Sequence, residues 1–207
     1  PNQLKRIGRK PDVAGRVNTA LPKDIRVFSF DVAPEGFDAR YSATFRRYRY
    51  RVADKNCFVD PLDIRYVLEV KPELDLKLMK QAAKVLVGLH DFGGFCKPRA
   101  GATTIRRLRS IKIARNQSKG RIIEIELKGD AFCHNMVRSI VGALVAVGRG
   151  RASVSDVQKR LKSGSRAGSL KVVAAKGLSL IEVGYPKDSR MGVQAQNTRK
   201  RRVLEEN

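Results

Sequence analysis

The stretch Arg106–Lys128, RRLRSIKIARNQSKGRIIEIELK, decides the class of fold. Two partly apolar runs, Arg106–Arg115 and Arg121–Lys128, flank the polar segment Asn116–Gly120, and this arrangement predicts a β-hairpin. In the second run isoleucine and leucine alternate with charged residues, so one face of the hairpin should be buried and the other solvated.

The rest of the chain mixes helical and strand patterns around this hairpin. The predicted helices are Asp75–Val87, Asn135–Val147 and Ser153–Lys162, and the further strands are Arg26–Val32, Thr44–Val52 and Leu178–Tyr185. Strands joined by hairpins, with helices interspersed, predict an α+β fold in which helices cover one face of a largely antiparallel sheet.

Charge indicates the class of partner. The chain has 207 residues, with 43 Lys and Arg against 20 Asp and Glu, which gives a formal charge of +23. Such an excess favours a polyanionic partner, and nucleic acid is the commonest one. A basic surface kept for solubility is the less favoured alternative, because acidic residues serve that purpose at least as well. The longest apolar run, Ile140–Gly148, is too short to span a membrane.

The sequence offers few ligands for a metal or a disulfide. Its cysteines, Cys57, Cys96 and Cys133, are widely spaced, and its histidines are His90 and His134. We expect no disulfide, no metal site and a reduced, cytoplasmic protein, with Cys96 and Cys133 chemically inert.

An ordered set of motifs carries a family resemblance. The motifs are Phe37–Thr44 with Arg46–Tyr50, Gly88–Phe92, Gly101–Arg106, Ala131–Leu144, Gly177–Leu178 and Val183–Pro186. Together they resemble the bacterial tRNA pseudouridine synthase A family, and the resemblance extends from Leu21 to Pro186. It implies a pseudouridine-synthase-like fold and the isomerisation of uridine at positions 38–40 of the tRNA anticodon stem-loop. It also implies a homodimer that needs no cofactor and binds RNA in basic clefts.

The resemblance assigns two site residues. Tyr48 matches the tyrosine that contacts the flipped substrate base, whereas its position in a strand would by itself indicate a core residue like Tyr50. Arg138 matches the arginine that pairs with the catalytic aspartate. An arginine beside an apolar helical stripe needs an anionic partner when it is desolvated, and the alternative is an arginine that reaches solvent from the helix edge.

Several arginines are candidate phosphate contacts. The main candidates are Arg46, Arg47, Arg49 and Arg106, and further candidates are Arg51, Arg107 and Arg109. A charge-rich strand is as often a solvated face, so we leave both interpretations open. If Arg47 and Arg49 do bind phosphate, replacing both by Ala should flatten the salt dependence of tRNA binding by ~2 units.

The family's nucleophilic aspartate has no clear match. It lies in a Gly-Arg-Thr-Asp segment well before the Leu-Pro pair matched by Leu21–Pro22. Asp12, in the weakly similar segment Gly8–Arg16, stands too close to that pair. We therefore expect a chain that lacks the catalytic loop and is inactive alone.

The expected organisation has three parts: a remnant of the N-terminal catalytic half at 1–35, the C-terminal α+β domain at 36–186 and a basic, disordered tail at 187–207. The alternative function is that of a non-catalytic basic RNA-binding protein of the same fold.

Overall fold

The architecture is a six-stranded mixed sheet with helices. A computed structural model describes residues 13–99, 101–165 and 170–199. The strands are β1 (Phe45–Ala53), β2 (Leu68–Glu69), β3 (Gly88–Asp91), β4 (Ile105–Arg115), β5 (Ile123–Gly129) and β6 (Leu178–Gly184). Their order is β2-β1-β5-β4-β3, and β6 also pairs with β1. The pairing of β1 with β2 is parallel and the other strand pairs are antiparallel, which confirms the predicted α+β class.

The structure describes five α-helices, and two of them, the second and the fourth, begin at capping side chains. They are α1 (Val13–Ala20), α2 (Leu76–Lys84), α3 (Met136–Gly148), α4 (Val154–Ser163) and α5 (Met191–Arg199). The Asp75 carboxylate accepts hydrogen bonds from the backbone N–H groups of Lys77 and Leu78 and so caps α2. Ser153 and Asp156 form the reciprocal capping box that their spacing predicts for α4.

The hydrophobic core lies between the sheet and helices α2 and α3. β5 alternates strictly between buried and partly exposed positions, as its sequence predicts. Its inward residues join those of β1 and α3 in one cluster, whose fully buried members include Tyr50, Val52, Ile123, Ile125, Leu127, Ile140 and Leu144. The opposite face of the sheet carries Arg47 and Arg49 of β1 with Glu124 and Glu126 of β5.

Two predicted elements differ from the structure. Arg26–Val32 forms no strand, and within it Phe28 is 91% exposed and Val32 76% exposed. An extended segment becomes a strand only when another segment pairs with it, and no described residue does so here. The helix predicted to run to Val87 ends at Lys84, because Gly88 already begins β3.

The cysteine prediction is wrong for one pair. Cys96 and Cys133 form a disulfide with their Cα atoms 5.7 Å apart, although 37 positions separate them in the sequence. Folding brings the two segments together, as the hydrogen bond from the Lys97 N–H to the His134 carbonyl shows at 2.8 Å. Cys57 remains free.

The predicted disorder of 187–207 is wrong for residues 188–199, which form a 3₁₀ turn (Asp188–Arg190) followed by α5. The last eight positions and Asp12 lie outside the described residues.

Within the described ranges, no helix is long and apolar enough to cross a membrane. The same ranges contain no group of three His, Cys, Asp or Glu residues placed to hold a metal ion.

Candidate active site and arginine cleft

The side chains of strand β1 alternate between the two faces of the sheet. Successive residues of a strand point to opposite faces, so Arg46, Tyr48 and Tyr50 share the inner face, while Arg47 and Arg49 share the outer face. The completely buried Tyr50 ring fixes the inner face as the one that packs against α3.

Tyr48 lies at the edge of the core, partly exposed. Its ring meets the ring of Phe132 edge to face, with centroids 5.1 Å apart. Phe132 comes from the loop between β5 and α3, where Gly129 leaves room: a Cβ atom at 129 would lie 3.0 Å from the tip of the Phe132 ring. The loop before α3 therefore fixes the edge of the Tyr48 ring and leaves its phenol group partly accessible.

Arg138 lies in the first turn of α3 on the same side of the sheet. Its Nε–H donates to the Val173 carbonyl at 2.7 Å, and it forms no salt bridge with any residue that the structure describes. The N-terminal end of a helix also carries partial positive charge. Together the guanidinium and the helix end make this point favourable for an anion.

Residues 170–177, which we call the strap, cross α3 and hold Arg138 in place. A Cβ atom on Gly142 would overlap the Lys171 carbonyl oxygen, so only glycine allows the strap to lie this close to α3. The strap then offers two consecutive carbonyls, since Val173 accepts from Arg138 and Ala174 accepts from the Tyr50 hydroxyl at 2.6 Å.

Tyr50 links the strap to the sheet. Burial raises the pKa of Tyr50 to about 12, and the positive charge of Arg138 opposes this rise. Its hydroxyl is therefore a neutral donor at physiological pH. At the end of the strap Gly177 packs on the same ring, where a Cβ atom would lie 2.7 Å from Tyr50 Cε1.

A cleft of about 880 Å³ opens at the end of the sheet where β1 begins and β5 ends. We call it the arginine cleft, after the arginines that line it: Arg40, Arg46, Arg99, Arg106, Arg107, Arg109 and Arg199. Among the described lining residues Asp130 is the one acid, and its carboxylate accepts from the backbone N–H groups of Arg107 and Ala131. Phe132 lines the cleft as well, so the cleft extends to the residue that contacts Tyr48.

Two of the predicted phosphate contacts lie in this cleft. Arg46 donates to the carbonyl oxygens of Asp130 and Arg40, at 3.0 and 2.6 Å. Arg106 donates to the Thr103 hydroxyl at 3.1 Å. Neutral oxygens hold the Arg46 side chain in position without cancelling its charge.

The other two predicted phosphate contacts, Arg47 and Arg49, form ion pairs on the outer face of the sheet. Arg47 contacts Glu182 at 2.6 Å and Glu126 at 3.5 Å, and Arg49 contacts Glu126 at 2.7 Å and Glu124 at 3.6 Å. The structure thus brings Arg46 and Arg106 together in the cleft and separates them from Arg47 and Arg49.

Sequence reasoning did not find three contributors to the site: Phe132, the strap and α5. Phe132 lies inside the motif Ala131–Leu144, so the sequence indicated the segment but did not indicate that this residue contributes to the site. The strap contributes backbone carbonyls, which no side-chain pattern reveals. Helix α5 fell within the tail predicted to be disordered.

The sequence that forms this α+β fold and its arginine cleft matches a characterised family. The model of one family, described as tRNA pseudouridine synthase, matches residues 82–186, about half of the chain. The chain belongs to the tRNA pseudouridine synthase family.

Its curated relatives carry the name tRNA pseudouridine synthase A. The Streptomyces avermitilis protein is 46% identical over 192 residues, which cover 93% of this chain and 65% of the relative. The Cutibacterium acnes protein is 44% identical over 90% of this chain and 67% of its own length. The Mycobacterium leprae protein is 42% identical over 89% of this chain and 63% of its own length. The chain thus spans about two thirds of the length of these relatives.

Proposed function

We propose that the protein represented by this chain isomerises uridine to pseudouridine at positions 38–40 of the tRNA anticodon stem-loop, as a cytoplasmic homodimer without a cofactor. One observation carries the proposal. Arg138, which has no carboxylate partner among the described residues, lies on the same side of the sheet as Tyr48, and the Tyr48 neighbour Phe132 lines the arginine cleft. The names of the curated relatives support the formation of pseudouridine in tRNA, which is the coarser part of the proposal.

The reaction explains why such an arginine would be needed. The bond from uracil N1 to ribose C1′ breaks, a bond from C5 to C1′ forms, the C5 proton leaves to water and N1 gains a proton. A carboxylate that adds to the sugar or to C6 of the base must be ionised, and burial in a water-excluding pocket raises its pKa. We propose that a carboxylate from outside the described residues pairs with the terminal nitrogens of Arg138, which keep it ionised.

Tyr48 would receive the target base. A uridine inside a stem-loop must leave its stack before a protein group reaches C1′ or C6, and an aromatic ring offsets part of that cost. The edge-on contact from Phe132 orients the Tyr48 ring for this role.

We assign the phosphate contacts to Arg46 and Arg106, because both line the cleft, and we assign Arg47 and Arg49 to the ion pairs of the outer face. A matched pair of variants tests this assignment in filter binding or fluorescence anisotropy at several salt concentrations. Arg46→Ala should flatten the salt dependence of binding by ~1 unit. Arg49→Ala removes the same charge from the same strand and should leave the slope unchanged.

Tritium release from an anticodon stem-loop RNA carrying tritium at uridine C5 tests the chemistry. We expect release by the complete product of the gene, none by this 207-residue chain alone and none by the complete product with Arg138→Met. Turnover by the chain alone would contradict the expectation that this chain lacks the catalytic loop. RNA binding without turnover by the complete product would favour the non-catalytic alternative.

Light scattering during size-exclusion chromatography tests the homodimer. The complete gene product should give twice its chain mass, and a mass of one chain would contradict this part of the proposal.

A further inference from the structure

Helix α5 is firmly docked at its first residues. Met191 and Ala195 are buried, at 7% and 2% exposure, and the Met191 carbonyl accepts a hydrogen bond from the buried Ser42 hydroxyl at 3.0 Å. The backbones meet at two glycines, since a Cβ atom on Gly36 would lie 2.9 Å from the Cα atom of Gly192.

Arg199, the last described residue of α5, contacts the segment 36–42, which also contacts the start of the helix. Arg199 pairs with Asp38 at 2.9 Å, and its guanidinium lies 5.1 Å from the centre of the Tyr41 ring. The backbone N–H groups of Tyr41 and Arg40 donate to the Asp38 carboxylate and lower the pKa of Asp38, and Arg199 lowers it further. A helix held at both ends is a fixed part of the fold.

The docked helix turns a polar face toward the arginine cleft. Gln194, Asn197 and Thr198, spaced three and four residues apart, line the cleft, whereas Gln196 is exposed elsewhere. Amide and hydroxyl groups of this kind bind phosphate oxygens and sugar hydroxyls without neutralising charge. The arginines line the same cleft, so a bound polyanion would meet both sets of donors.

We propose that α5 forms one wall of the RNA site and contacts the sugar–phosphate backbone next to the target uridine. This inference rests on the proposed function, because it takes the arginine cleft to be the RNA site. It assigns a binding role to residues that follow the segment matched by the family model, which ends at residue 186.

Two neighbouring residues provide a matched test. Asn197→Glu and Gln196→Glu add the same charge to adjacent, exposed helix positions, and only position 197 lines the cleft. With an anticodon stem-loop RNA in fluorescence anisotropy, Asn197→Glu should weaken binding at least ~10-fold, because a carboxylate would face the phosphates. Gln196→Glu should change binding less than ~2-fold, which is the size expected of a remote exposed charge.

Substitutions that introduce a positive charge at the same two positions distinguish a direct effect on binding from misfolding. Asn197→Lys should tighten binding and Gln196→Lys should not, and a damaged fold cannot produce tighter binding. Equal effects at positions 196 and 197 would overturn the role of α5 while leaving the proposed function intact, provided that Arg46→Ala still flattens the salt slope. Absence of RNA binding by both this chain and the complete gene product would overturn both proposals.

Discussion

At the scale of single residues, Arg138 is oriented by the backbone and left available to an anion. Its Nε–H is committed to the Val173 carbonyl, so the guanidinium has a fixed direction before any substrate arrives. Preorganised charge of this kind stabilises a reacting group more effectively than a mobile side chain does. Tyr50, predicted to be structural, contributes to this arrangement through the neighbouring carbonyl.

Replacing Tyr50 by Phe tests that contribution. The loss of the hydroxyl frees the Ala174 carbonyl and loosens the strap, so kcat of the complete gene product should fall about tenfold while KM changes little. The free energy of unfolding should fall by about 1 kcal/mol. Tyr185→Phe is the matched control, because it removes a similar bond, from the Tyr185 hydroxyl to the Ala39 carbonyl at 2.8 Å, away from Arg138. An equal loss of kcat in both variants would reduce Tyr50 to a structural residue.

Asp54 supplies a pH-dependent part of the stability. Burial raises the pKa of Asp54, but hydrogen bonds from Arg115 and from the backbone N–H groups of Leu74 and Asn56 outweigh it and hold the value at about 2. The two arginine contacts are 2.6 and 3.0 Å long. Because the folded-state pKa lies below the unfolded one, this stabilisation is complete above pH ~4 and is lost as the pH falls toward 2.

Denaturant unfolding between pH 7 and pH 3 measures this effect. Asp54→Asn should lower the free energy of unfolding by about 3 kcal/mol at pH 7, since Arg115 loses its buried partner, and the deficit should shrink at pH 3. The exposed Asp24→Asn should leave the curve unchanged. A deficit of constant size across this range would contradict the assigned ion pair.

At the scale of elements, the strap couples α3 to the sheet through close backbone approach. Gly142→Ala should push the Lys171 carbonyl away from α3 and shift Val173 with it. We expect a loss of about 1–3 kcal/mol in stability and a larger fall in kcat than in RNA affinity. Gly148→Ala adds the same methyl group to the same helix but meets the flexible end of Met79, so its turnover should stay near that of the unmodified protein. Similar kcat values for the two variants would contradict a contribution of the strap to catalysis.

The sequence predicted those elements that depend on contacts between neighbouring residues, and it missed those that depend on contacts between distant segments. The hairpin and the alternation of β5 follow from neighbouring residues, and the sequence predicted them. The disulfide of Cys96 with Cys133 and the pairs of Arg47 with Glu182 depend on which distant segments meet, so no short-range pattern could reveal them. Helix α5 has only a weak apolar stripe, and its docking depends on contacts with the turn at residues 36–42.

At the scale of the whole molecule, charge and exposed apolar surface act in different places. The arginine cleft concentrates positive charge on the side that we assign to RNA, whereas the segment before the sheet exposes Phe28 and Val32 to solvent. Exposed aromatic residues on an unpaired, extended segment favour association between copies.

Phe28→Ser should therefore reduce aggregation of this chain, measured by light scattering over a concentration series, without lowering its melting temperature. Phe28 is 91% exposed, so the folded state loses little packing when the ring is removed. Phe28→Leu keeps an apolar side chain and should aggregate like the unmodified chain. Equal aggregation of all three proteins would place the association elsewhere.

The most direct test of the account is an experimental structure of the complete gene product bound to an anticodon stem-loop RNA. The account predicts a uridine turned out of its stack with the uracil against the Tyr48 ring, and a carboxylate paired with the terminal nitrogens of Arg138. A uridine bound far from Tyr48, with Arg138 still held by the Val173 carbonyl alone, would contradict it.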